Sequence, residues 1–121
     1  MPVLFNCFSS GYGGFECYFI GFKLFYRILP PLNYTPPSAD SNGVLIADFS
    51  ATAPGKWNFL AIEHEKPFLA RAQLIAVVND KQVVNFPMDY PNFDKNNSKL
   101  NIVSICKNMT GQLTSFLLFK D

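Results

Sequence analysis

Short apolar stretches of five to eight residues, rich in Phe, Val, Ile and Tyr, recur along the whole chain and are punctuated by clusters of Gly, Pro, Asn, Asp or Ser. Runs this short fit strands better than helices, because a strand needs few residues and sends alternate side chains to opposite faces. The spacing predicts strands near residues 3–8, 15–20, 22–28, 44–49, 57–64, 72–79, 82–86, 100–106 and 113–119. So many strands within 121 residues predict one all-β domain over residues 1–121, a two-layer antiparallel sandwich.

The alternation within these stretches predicts their environment. In 22–28, Phe22, Leu24, Tyr26 and Ile28 share a core face, while Lys23 and Arg27 flank Phe25 on a partly wet one. In 57–64 both sets, Trp57, Phe59, Ala61, Glu63 and Asn58, Leu60, Ile62, His64, are apolar at mid-strand, which predicts a central strand covered on both sides. Residues 66–78 also fit helical spacing through Phe68, Ala72 and Ile75, but the β-branched run and the Asn79-Asp80-Lys81 turn before Gln82-Val83-Val84 favour a hairpin. Pro30, Pro31, Pro36 and Pro37 remove backbone donors, so residues 30–43 should form a surface loop insertion.

Composition narrows the class of partner. With 49% apolar residues and a mean hydropathy of +0.11 the chain should fold. A net charge of +1 gives no electrostatic footprint for nucleic acid or acidic lipid. The most apolar stretch, 15–32, is broken by Glu16, Lys23 and Arg27, so no transmembrane segment is expected. Met1 to Phe5 lacks a basic lead and a cleavage site, which makes a cytoplasmic location the expectation. Cys7, Cys17 and Cys106 are odd in number and widely spaced, and read as buried small hydrophobes. Sequons at Asn33, Asn96 and Asn108 would matter only in a secreted chain.

No constellation for chemistry emerges. His64 lies between Glu63 and Glu65, but strand neighbours point to opposite faces, so a structural histidine is the expectation. Ser9, Ser10 and Cys17 lack a nucleophile's setting. A single histidine and dispersed cysteines cannot supply a zinc site. Asp94, Asn96 and Ser98 follow a calcium-loop spacing, yet Lys99 stands where the glycine belongs and no acid closes the loop. Gly11-Tyr12-Gly13-Gly14 precedes a strand and suits a turn or bulge, with no helix N-terminus to hold a phosphate. The expectation is a non-enzyme without catalytic, cofactor or metal residues. Two rivals use other residues. Asp89, Tyr90, Asn92 and Phe93 in the aromatic loop 86–93 would suit a carbohydrate, and Glu63 with Glu65 would be the acid pair of a glycoside hydrolase.

The order of motifs is itself informative. Gly11-Tyr12-Gly13-Gly14-Phe15-Glu16 is followed by Lys56-Trp57-Asn58-Phe59-Leu60-Ala61-Ile62-Glu63-His64, then by Val77-Val78-Asn79-Asp80-Lys81-Gln82-Val83, Tyr90-Pro91 and Gly111-Gln112-Leu113 with Phe116 to Phe119. This set resembles the concanavalin A-like, laminin-G-type jelly-roll module of BEACH-domain proteins such as neurobeachin and the lysosomal trafficking regulator, from about Phe5 to Phe119. The resemblance implies an antiparallel jelly roll, incomplete at both ends, inside a cytoplasmic scaffold of vesicle or membrane trafficking. It implies peripheral membrane association through the parent protein, and partners that are proteins or adjoining scaffold domains, with carbohydrate as the alternative. Trp57 and His64 would lie on an inner strand and Asn79-Asp80 at a hairpin tip. The lectin metal site has no counterpart here.

Overall fold

A computed structural model describes residues 2–9, 13–29, 43–51, 55–66, 68–89, 102–109, 111 and 113. These form eight strands and no helix: β1 Val3–Ser9, β2 Gly13–Ile20, β3 Lys23–Leu29, β4 Val44–Asp48, β5 Leu60–Glu65, β6 Gln73–Val78, β7 Lys81–Pro87 and β8 Ile102–Lys107. They build two antiparallel sheets, one ordered β4-β3-β2-β1-β8 and the other β5-β6-β7. The larger sheet is a meander of β1 to β4, closed by β8 returning beside β1 with Phe5 opposite Ile105.

Turn chemistry sets the registers. Gly21, at φ 61°, allows the two-residue reversal that brings Ile20 opposite Lys23. Asn79 and Asp80 adopt φ 49° and 70°, the paired left-handed conformation of a tight hairpin turn, and Val78 meets Lys81 across it. Within the ambiguous stretch 66–78, Gln73–Val78 resolve as strand β6, the first arm of this hairpin, while the strand reading does not extend to the described residues before Gln73. Gly13, at φ 90°, opens β2.

The core lies between the sheets. Cys17, Leu24, Tyr26 and Ile46 from the larger sheet pack with Leu74 and Ala76 from the smaller, and Phe15, Phe19, Leu60, Ile62 and Val84 close around them. Each large aliphatic side chain buried here contributes about 1.5–3 kcal/mol. Cys7 and Cys17 are buried and free as expected, while Cys106 is half-buried.

Three expectations fail. The stretch 57–64 is neither central nor covered twice: β5 begins at Leu60, pairs only with β6 among the described residues, and leaves Ala61 and Glu63 exposed. Trp57 is therefore not on an inner strand. Phe22 lies in the turn and is exposed, because the reversal takes it off the ladder. The partly wet face beside Phe25 is instead buried at Arg27, which finds a carboxylate partner there. The loop at 30–42, the calcium-like run 94–98 and the strand at 114–119 lie outside the described residues.

Candidate interaction site

His64 is placed by alternation. In β5, Leu60, Ile62 and His64 face the other sheet, and Glu63 and Glu65 face away. Its Nε2 lies 2.7 Å from the Met88 carbonyl oxygen and its Nδ1 lies 3.2 Å from the Tyr26 hydroxyl. A carbonyl only accepts, so in the neutral ring Nε2 donates to Met88 and Nδ1 accepts from Tyr26. The two rings meet edge to face at 5.8 Å. The arrangement clamps the sheets together, and it separates the imidazole from the glutamates on either side. Glu63 and Glu65 share an outer face two residues apart. Cys17 is buried in the core, where desolvation and then the Glu16 carboxylate push its thiol well above the ordinary range. Cys17 is thus enclosed in the core, and Ser10 and the Ser9 side chain lie outside what the structure describes.

The outer face of the larger sheet carries a polar row. Ser104, Asn6, Glu16 and Arg27 stand directly opposite one another across β8, β1, β2 and β3. Arg27 donates to Glu16 Oε1 from Nη2 at 2.7 Å and from Nε at 2.9 Å, and Asn6 donates to Oε2 at 3.1 Å. The Asn6 side-chain oxygen accepts from the Ser104 amide at 3.0 Å. Glu16 is 0% exposed, and the Arg27 guanidinium lies 5.3 Å from the centre of the Tyr18 ring. Buried charges are tolerated only when paired and hydrogen-bonded, so this row fixes strand register. Counting back from the Ile20 to Lys23 pair brings Glu16 to Arg27; placing that turn would have revealed the bond from sequence.

A candidate contact surface lies at one end of the smaller sheet. Asn79 clasps the chain entering β5: its amide donates to the Phe59 carbonyl at 2.9 Å, its side-chain oxygen accepts from the Phe59 amide at 2.8 Å, and its side-chain nitrogen donates to Asn58 Oδ1 at 2.9 Å. The clasp satisfies the backbone of residue 59 outside the strand ladder. Trp57 and Phe59 are both 63% exposed on this pinned segment. Two large aromatic side chains held at a defined place in solvent fit a contact site, since aromatic residues dominate the binding energy of protein interfaces. Sequence alternation missed this because it assigned 57–59 to the strand; the only signal was Asn58, able to bond a turn asparagine.

Of the carbohydrate candidates, Asp89 is exposed, with its Oδ1 3.7 Å from Arg71 Nε, while Tyr90, Asn92 and Phe93 lie outside the described residues. Among the described residues, no three His, Cys, Asp or Glu side chains gather as a metal-binding group, and no helix is long and apolar enough to cross a membrane.

Comparison with known proteins gives one lead. The chain is 31% identical over 123 aligned positions to the BEACH domain-containing protein lvsE of Dictyostelium discoideum. The match covers 99% of this chain and 5% of that protein. No family model matches the sequence, and no solved structure matches it.

Proposed function

We propose that this chain is a non-catalytic interaction module of concanavalin A-like jelly-roll type, working within a BEACH-type scaffold of vesicle or membrane trafficking. The observation that carries the reading is the Asn79 clasp on residues 58 and 59, beside which the Trp57 and Phe59 side chains stand exposed. Similarity to a short part of a much longer BEACH domain-containing protein supports a setting among adjoining domains, which are the partners this surface would meet. The meander of β1 to β4 with β8 returning beside β1 is compatible with a jelly roll. Engagement of His64 by Tyr26 and Met88 favours a structural over a catalytic role. The module acts in the cytoplasm, peripheral to membranes through its parent scaffold.

The sole tryptophan provides the test. Titration with the purified BEACH domain of the Dictyostelium protein should shift Trp57 emission to the blue in a saturable way. Phe59→Ser and Asn79→Ala should each weaken that binding by about tenfold, the loss of one contact residue at an interface. A spectrum that does not respond would contradict the reading. Turnover of any substrate that His64→Ala abolishes would overturn its non-catalytic part.

A further inference from the structure

The opposite end of the smaller sheet carries a different surface. The loop joining β5 to β6 reads Lys66-Pro67-Phe68-Leu69-Ala70-Arg71-Ala72. Phe68 and Leu69 are each 92% exposed, so both side chains project from the surface almost as fully as in an unfolded chain. Leu69 adopts φ 65°, a left-handed conformation that costs energy for a residue with a branched side chain and that glycine would take freely. Neither burial nor backbone preference accounts for these residues at this place, and strain that folding does not explain points to a use.

The loop stands on a fixed base. Glu65 pairs with Gln73 across its neck. Met88 ties both flanks down, donating from its amide to the carbonyl of the buried Ala72 at 3.0 Å and accepting through its own carbonyl from His64. The tip is therefore a convex apolar point on a rigid stem. Two cations, Lys66 and Arg71, flank it within the loop, and both are exposed. The nearby acids come farther along the chain from the tip: Glu65 on the last ladder pair, and Asp89 beside Arg71 at 3.7 Å. Along the chain Lys66 lies nearer the tip than Glu65, and Arg71 carries Asp89 at its side.

We propose that Phe68 and Leu69 form a wedge that inserts into a lipid bilayer surface, with Lys66 and Arg71 meeting the phosphate groups on the aqueous side of the hydrocarbon boundary. A protein partner would have to supply a pocket shaped to two projecting side chains. A bilayer accepts any convex apolar tip and sets anionic groups at the depth of the flanking cations. The chain's net charge of +1 supplies no long-range attraction, so the interaction is local to this loop and goes beyond the aromatic contact site at the other end of the sheet.

Flotation of the full chain with vesicles tests this, because aggregated protein stays at the bottom of the gradient. The chain should float with phosphatidylcholine vesicles, and better when about a quarter of the lipid is phosphatidylserine. Phe68→Ser combined with Leu69→Ser should reduce the floating fraction about tenfold or more, through loss of two buried apolar side chains. Lys66→Ala and Arg71→Ala should each cut only the phosphatidylserine enhancement, by about fivefold. Leu69→Gly should float less than the parent chain without lowering its melting temperature, a combination that a structural role for Leu69 would not give. Phe22→Ser, which removes an exposed aromatic from another turn, should float as the parent does. Failure of the parent to float with either vesicle, as when a protein pocket is the real occupant, would overturn the proposal. So would flotation of the double serine variant at the parent level, or its loss in Phe22→Ser.

Discussion

The two sheets handle polarity in opposite ways. The larger one buries a glutamate, an arginine and an asparagine on its outer face, while the smaller one presents Trp57, Phe59, Phe68 and Leu69 to solvent at its two ends. In the larger sheet the polar groups are satisfied across neighbouring strands, so burial is affordable and the row locks register. In the smaller sheet the apolar groups are held out by turns and clasps, so exposure is built in. One sheet is organised to persist and the other to present.

Substitutions that break this contrast should differ widely in size. Arg27→Met removes both guanidinium bonds from the buried Glu16 carboxylate, and should cost about 3–5 kcal/mol in urea unfolding, the penalty for breaking a buried pair from one side. A smaller loss, which the double replacement Glu16→Leu with Arg27→Met did not improve on, would indicate that the row is wet. Alkaline unfolding comes next. The folded chain keeps the Cys17 proton that an unfolded chain releases near the thiol's ordinary value of 9.0, so stability is complete below pH 9 and falls as pH rises above it. The slope should be about 1.4 kcal/mol per pH unit for this thiol, and Cys17→Ala should reduce it to the part left by Cys7, whose thiol burial also raises. Tyr26→Phe removes the donor to His64 Nδ1 and should cost about 1–2 kcal/mol, measured by the same unfolding assay. At the small end, Trp57→Ser with Phe59→Ser should stay within about 0.5 kcal/mol of the parent, because exposed side chains hold little of the fold together. A loss comparable to that of Tyr26→Phe would mean that the aromatic segment belongs to the core.

What the sequence disclosed followed from local rules. Strand rhythm is written in spacing, and the reversal is written in Asn79 and Asp80, which tolerate positive φ, so the β6 to β7 hairpin was legible, although Lys81, expected in the turn, pairs with Val78 in the ladder. Burial of Cys7 and Cys17 was legible from their number and spacing. Pairwise facts were not. Lys23 and Arg27 look alike on one face of β3, yet only Arg27 faces Glu16 across the register, and so only Arg27 is buried. Trp57 continues the alternation of β5 in sequence, but the Asn79 side chain captures the Phe59 amide before the ladder begins, and alternation stops meaning burial there. The exposure of Trp57 and Phe59 was unread because a long-range side-chain bond holds residue 59 off the ladder. That Glu63 and Glu65 face away from His64 did follow from sequence, since strand neighbours point to opposite faces.

Emission of the sole tryptophan decides most directly whether the smaller sheet presents its aromatics or hides them. The structure predicts a native spectrum already close to that of free tryptophan in water, open to acrylamide quenching, and scarcely shifted when urea unfolds the chain. A blue native spectrum that resists acrylamide and moves to the red on unfolding would put Trp57 inside the sandwich and contradict the account.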